Sequence, residues 1–135
     1  MSDAEAKIAP TVLPFTRADI ERTVPVRFEQ TASHFSDHIA LTGSGRRWTY
    51  RDLNEQANRI AHAIRRRVTS DTGCVAHLLD HSPGMVVAAM GVMKAGCASL
   101  AIHPAMPARA QSTILEDAGP LLLLANAASD RKSVV

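Results

Sequence analysis

A chain of 135 residues has room for one domain with a real core and not for two. Its 46% hydrophobic and 21% charged residues are ordinary for a water-soluble globular protein, and a net charge of +2 argues against a nucleic-acid or membrane-surface partner. With one Trp, one Tyr and three Phe, there is little material for base-stacking platforms.

The two cysteines, Cys74 and Cys97, do not make a disulfide framework in a chain of this size. The start, MSDAEAKIAP, has no basic n-region and no apolar h-region, so no secretory signal is read there. The longest nearly apolar run, Met85 to Met93, is far shorter than the ~20 residues that span a bilayer. A cytoplasmic protein with free thiols is expected.

Residues 1–23 show no clear period. Pro10 and Pro14 bracket a short apolar stretch, Thr11 to Leu13, and an extended lead-in is expected, mobile in part or packed along the domain surface. From Pro25 the pattern turns helical: Val26, Phe28, Ala32 and Phe35 recur at roughly helical spacing, and Pro25 suits a first helical position. His38 to Thr42 and Arg46 to Tyr50 read as two strands joined by the turn Gly43-Ser44-Gly45, a hairpin. Thr49 and Asp52 form a variant capping box for a second helix, whose Leu53, Ala57, Ile60, Ala61 and Ile64 make one apolar stripe. Arg65, Arg66 and Arg67 fall in its last turn, where cations complement the helix dipole.

An alternation follows. Cys74 to Leu79 reads as a strand. Ser82 caps a helix with Pro83 at its first position, and that helix stops at Gly96. Cys97 to Ile102 is another strand. Pro107 opens a helix that ends at Gly119, and Pro120 to Ala125 is a last strand. Connections this long make the strands parallel with right-handed crossovers, so the fold class is α/β, a partial parallel sheet with flanking helices and a small N-terminal β-hairpin. The helix from Pro83 is apolar almost all round and needs cover on more than one side. Either the lead-in and the first helix provide it, or the surface once buried in a larger domain is exposed. Residues 126–135 carry no clear signal.

Three stretches carry a family likeness. Trp48-Thr49-Tyr50-Arg51-Asp52-Leu53 followed by Asn54 to Ala61 resembles an L-T-Y-x-E-L core with an Asn-rich helix. Met93 to Pro104, MKAGCASLAIHP, resembles L-K-A-G-x-A-Y-V-P-I-D-P. Ile114 to Pro120, ILEDAGP, is similar to the M-L-E-D-A/S motif that follows. In this order and spacing the three resemble the adenylate-forming superfamily, closest to the adenylation domains of nonribosomal peptide synthetases, over residues 24–125. The resemblance implies an N-terminal portion of an AMP-dependent synthetase or ligase. It also implies a parent reaction: ATP-dependent activation of a carboxylic acid, an amino acid above all, to an acyl-adenylate, then transfer to a carrier-protein thiol. Three positions depart from the pattern: Ser99 stands where the family usually has Tyr, Ala101 where Pro is usual, and His103 where Asp is usual.

The family's phosphate loop, a Ser/Thr/Gly-rich stretch ending in Pro-Lys-Gly, has no counterpart among Gly43, Gly45, Gly73, Gly84, Gly91, Gly96 and Gly119. Its catalytic Lys, ribose-binding acid and adenine-stacking aromatic belong to later segments. No catalytic, cofactor-binding or metal-binding residue is therefore assigned, and the ATP and magnesium of the family are not expected on this chain alone. Lys94 is read as serving a helix C-terminus, and Asp52, Asn54 and Asn58 as capping and surface groups. His77 and His81 are four apart but lie on a strand and its exit, so their spacing does not converge them; His34, His38, His62 and His103 are scattered. Cys74 and Cys97 begin neighbouring strands and read as buried thiols. Arg46-Arg47 and Arg65 to Arg67 read as solvated groups. Two expectations stand: a truncated enzyme portion inactive alone, or an interaction module that completes or regulates an adenylating partner. Its partner would be a complementary adenylation-domain half, or a second copy through an exposed apolar face.

Overall fold

A computed structural model of the chain describes residues 13–70 and 72–126. Residues 1–12 of the expected lead-in, with Pro10 and Thr11, and the tail from residue 127 onward lie outside the described residues. A 3-10 turn, Arg17–Glu21, occupies part of the stretch expected to be extended. It forms because the Asp19 carboxylate accepts from the Thr16 backbone N–H (2.7 Å) and hydroxyl (2.8 Å). Those bonds hold its carboxyl below the usual carboxylate range, with Arg27 and Arg22 adding to the effect against the opposing cost of burial. Arg27 also donates to the carbonyls of Leu13 and Pro14, which straps the lead-in along the first helix.

Helix α1 spans Val24–His34, starting one residue before Pro25, which takes the second position. Strands β1 (Ile39–Gly43) and β2 (Arg46–Thr49) pair antiparallel, with Gly43 opposite Arg46 and a bulge between Ile39 and Leu41. Their two-residue turn places Ser44 at φ 52° and Gly45 at φ 71°. That left-handed pair matches the twist of the strands, which is why a Ser-Gly dipeptide serves here. Helix α2 spans Tyr50–Arg67 and begins as read: Thr49 Oγ1 accepts from the Asp52 N–H (3.1 Å) and Asp52 Oδ2 from the Thr49 N–H (3.0 Å). The same Thr49 bonds depress the Asp52 carboxyl.

Strand β3 is Cys74–Leu78, helix α3 Pro83–Lys94, strand β4 Ala98–Ile102, helix α4 Ala108–Ala118 and strand β5 Leu122–Ala125. Ser82 holds the N-cap position of α3, but its side chain makes no capping bond; Pro107 is the N-cap of α4 rather than its first residue. The sheet order is β4-β3-β5, both pairs parallel, with Val75 opposite Ser99 on one side and Leu122 on the other.

Alternation along β3 splits the core into two layers. Val75 packs with Ile64 of α2, Val92 of α3 and Cys97, flanked by Leu122 and Leu124. Ala76 and Leu78 pack with Ile102 on the other face, under Leu100, Met106, Ile114 and Leu115. Ile64, Val75, Val92 and Ile102 are fully buried, and each such side chain contributes roughly 1.5–3 kcal/mol. The near-uniformly apolar α3 is covered by α1, α2 and the sheet, burying Pro83, Val87, Ala88, Gly91, Val92 and Lys94. Of its large apolar side chains Val86 stays exposed; further uncovered apolar surface falls at Leu121 and Leu123 beside β5, at Ile39 of β1, and at Phe15, Ile20, Val24 and Val26 near the N-terminal end of the described chain. Among the described residues no helix is long and apolar enough to cross a membrane.

Candidate functional site

Helix α3 leaves β3 toward one face of the sheet and α4 leaves β4 toward the other, as the two core layers show. The loops that follow β3 and β4 lie at the carboxyl ends of those strands, the end of an open α/β sheet where ligands are held. His81 and His103 meet there, their ring centroids 4.8 Å apart. His103 Nδ1 accepts from the Ala105 N–H (3.1 Å), so the neutral ring carries its proton on Nε2. Gln111 of α4 ties the same loop down, donating to the carbonyls of Pro104 (3.1 Å) and Met106 (3.0 Å). His103 thus presents an Nε2–H donor beside the His81 ring; among the described residues no group of three or more His, Cys, Asp or Glu is placed to hold a metal ion.

His77 does not join this pair. It sits inside β3, 1% exposed, with Nε2 3.0 Å from Ser99 Oγ and Nδ1 without a partner. Burial pushes its pKa below the ordinary histidine value. The departures at Ser99 and His103 are thereby placed: one serves a buried histidine, the other a histidine pair. Neither pairing was visible in the sequence, because both depend on the register of β3 against β4 and on the loops that follow. The only sequence signal was that the three departures cluster at the end of one strand.

Lys94 lies in the last turn of α3, but a role confined to the helix dipole is too small for it. Its ammonium pairs with Glu29 of α1 and lies 5.9 Å from the Phe28 ring, with the side chain 4% exposed. Helix α1 crosses the end of α3 and buries the cation, which then needs a counter-charge. Arg65 donates to the Lys94 carbonyl, so part of the basic cluster ends α3 as well as α2. Arg46 stacks on Trp48 at 4.2 Å. Asn54 is half-buried with its Oδ1 unpartnered, and Asn58 lines a groove beside Lys94, so neither is a plain surface group. Cys97 faces the α2–α3 layer, while alternation sends Cys74 to the opposite face; both are free thiols.

Nucleotide phosphates need convergent backbone N–H groups at a helix start and a cation beside them. Gly43-Ser44-Gly45 is closed into the hairpin turn, with strands on both sides. Lys94 is at the far end of α3 and already paired. The described residues do not fit a nucleotide triphosphate, and no step of its chemistry is assigned to them.

Residues 28–135 match the profile of the AMP-binding enzyme family. The chain is 39% identical over 106 residues to surfactin synthase subunit 2 of Bacillus subtilis, a match covering 78% of this chain and 3% of that protein. It is 34% identical over 126 residues to tyrocidine synthase 3 of Brevibacillus parabrevis, covering 92% of this chain and 2% of the relative. The chain therefore spans a small part of the length of these relatives. Among solved structures it is similar to the NpsA N-terminal subdomain of Klebsiella oxytoca, with 26% identity and a TM-score of 0.72 over 78% of this chain and 28% of that one. The nonribosomal peptide synthetase FmoA3 superposes with a TM-score of 0.77 at 28% identity, over 82% of this chain and 13% of that one. Three motifs in register, a parallel β4-β3-β5 sheet with an antiparallel hairpin, and these matches agree: the chain belongs to the AMP-binding enzyme family, as an N-terminal portion of a nonribosomal-peptide-synthetase-type adenylation domain.

Proposed function

We propose that this chain is the scaffold portion of an ATP-dependent ligase that activates an amino acid or other carboxylic acid as an acyl-adenylate, and that it contributes no reacting group of its own. The observation that carries the reading is the pairing of family membership over residues 28–135 with a set of described side chains already engaged in structural bonds. FmoA3 is solved bound to α-methyl-L-serine-AMP, and NpsA with 3-hydroxyanthranilyl-AMSN; both support aminoacyl or aryl acid activation as the parent chemistry. On this reading ATP and magnesium are held by parts of an adenylation domain other than these residues. A second reading, an interaction module that completes or regulates an adenylating partner, is favoured by the uncovered leucines beside β5.

Two measurements test the first reading. The purified chain, given ATP, magnesium and a mixture of amino acids, is expected to release no pyrophosphate above background. Residues 28–125 grafted in place of the matching segment of the NpsA N-terminal subdomain, in otherwise complete NpsA, are expected to leave a working enzyme. Pyrophosphate release by the chain alone would overturn the scaffold role. A chimera that folds but is inactive would overturn the equivalence of the two segments.

A further inference from the structure

The turn that follows β4 is built on a titratable acceptor. Residues 103–106 turn on the bond from the Met106 N–H to the His103 carbonyl (3.0 Å). Inside that turn the Ala105 N–H donates to His103 Nδ1 (3.1 Å). A side chain that accepts from the backbone amide two residues on is the arrangement Asp and Asn make with an oxygen. Asp is the family's usual residue at this position, and its carboxylate would accept at any pH well above ~4. An imidazole differs, because Nδ1 accepts only while the ring is neutral. Once the ring takes up a proton both nitrogens carry hydrogen, and Nδ1–H faces the Ala105 N–H as a second donor.

His81, on the exit from β3, adds to the effect. Its ring lies 4.8 Å from that of His103, at an interplanar angle of 46°. Two neutral rings tolerate this contact, whereas two imidazolium rings repel each other. Among the described residues neither histidine is in an ion pair that would hold a charged ring in place. The charged residues on the adjoining segments are Asp80, which precedes His81, and Arg109, in the first turn of α4. The first turns of α3 and α4 carry no acid.

We propose that the 103–106 turn is a proton-sensitive latch at the carboxyl end of the sheet, closed while His103 is neutral and opened at Ala105 as the pH falls through the range, about 8 to 5, in which histidines charge. The opening is local. The Met106 bond and the donations of Gln111 to the Pro104 and Met106 carbonyls (3.1 and 3.0 Å) contain no group that titrates in this range. Met106 also stays packed on the layer of Ala76, Leu78 and Ile102. Protonation therefore frees one amide and separates two rings at the end of the sheet where open α/β folds hold ligands, and leaves the rest of the loop in place. The latch does not depend on the scaffold reading.

The test is NMR on the full chain with labelled backbone and histidine rings, titrated from pH 7.5 to 5.5. At pH 7.5 His103 is expected as the Nε2–H tautomer, with ring contacts to His81. As the pH falls, the Ala105 amide resonance is expected to move in step with the His103 ring, and its protection against exchange to drop by about tenfold, the worth of one hydrogen bond. Met106 is expected to keep its protection. His103→Asp, which makes the same bond without titrating in this range, is expected to hold the Ala105 resonance still. His81→Gln is expected to retain the Ala105 response, because the bond belongs to His103. The proposal is overturned by an Nδ1–H tautomer at pH 7.5, by a stationary Ala105 resonance while His103 titrates, or by a response that persists in His103→Asp or vanishes in His81→Gln. Amides throughout the chain moving together with Ala105 would make the change global unfolding and overturn it as well. If His103→Asp does not fold, the tautomer and the Ala105 resonance of the unmodified chain decide.

Discussion

His77 shows how one buried side chain sets a pH dependence. Its ring is enclosed in β3, Nδ1 finds no partner, and burial favours the neutral form, so its pKa lies below the ordinary 6.5. The unfolded chain then takes up the proton first. Stability from this group is complete above pH 6.5 and is lost as the pH falls below that value toward the folded pKa. Urea midpoints measured from pH 7.5 downward should therefore drop below pH 6.5 in the native protein, and His77→Leu should flatten that drop. An unchanged slope in the variant would assign the acid sensitivity to other groups. In the sequence His77 was weighed only against His81, four residues on. Strand β3 was legible, but not that Ser99 would stand across the sheet from Val75, on the same face as His77 and within reach of its ring.

At the scale of elements, the packing of α2 on α3 rests on a glycine. A Cβ added at Gly91 would lie 2.6 Å from Ile60 Cγ2, 2.7 Å from Ile60 Cβ and 3.0 Å from the Ala57 carbonyl oxygen. Alanine is favoured over glycine in a helix by about 1 kcal/mol, whereas overpacking a tight core costs about 1–3 kcal/mol. The second effect wins because Ile60 is β-branched and the carbonyl belongs to the α2 backbone, so neither yields easily. Gly91→Ala should lower the thermal midpoint, and Ile60→Val alongside it should recover only part of the loss; a stabilised Gly91→Ala protein would show that the helices slide apart without cost. Helix α2 was the most legible element, since its cap, its apolar stripe and its basic last turn all lie in local sequence. Boundaries set by tertiary contact were less legible. Cys97 looked like strand but sits before β4, turned into the core, and Arg17–Glu21 became a turn through bonds between Thr16 and Asp19.

The molecule as a whole closes one face of its sheet better than the other, and a hydrophobic-surface dye should report it. The dye is expected to bind at the exposed leucines beside β5, and Leu123→Lys to lower its fluorescence. An unchanged signal in the variant would place the dye-binding surface elsewhere. By itself the sequence determined the family, the alternation of strand and helix and the parallel connections, because motifs, caps and hydrophobic period are local and survive without coordinates. Only the tertiary structure decided which side chains meet: His77 with Ser99, His81 with His103, and Lys94 with Glu29. Those pairings depend on strand order, register and the faces to which α3 and α4 depart, quantities that no short window of sequence contains.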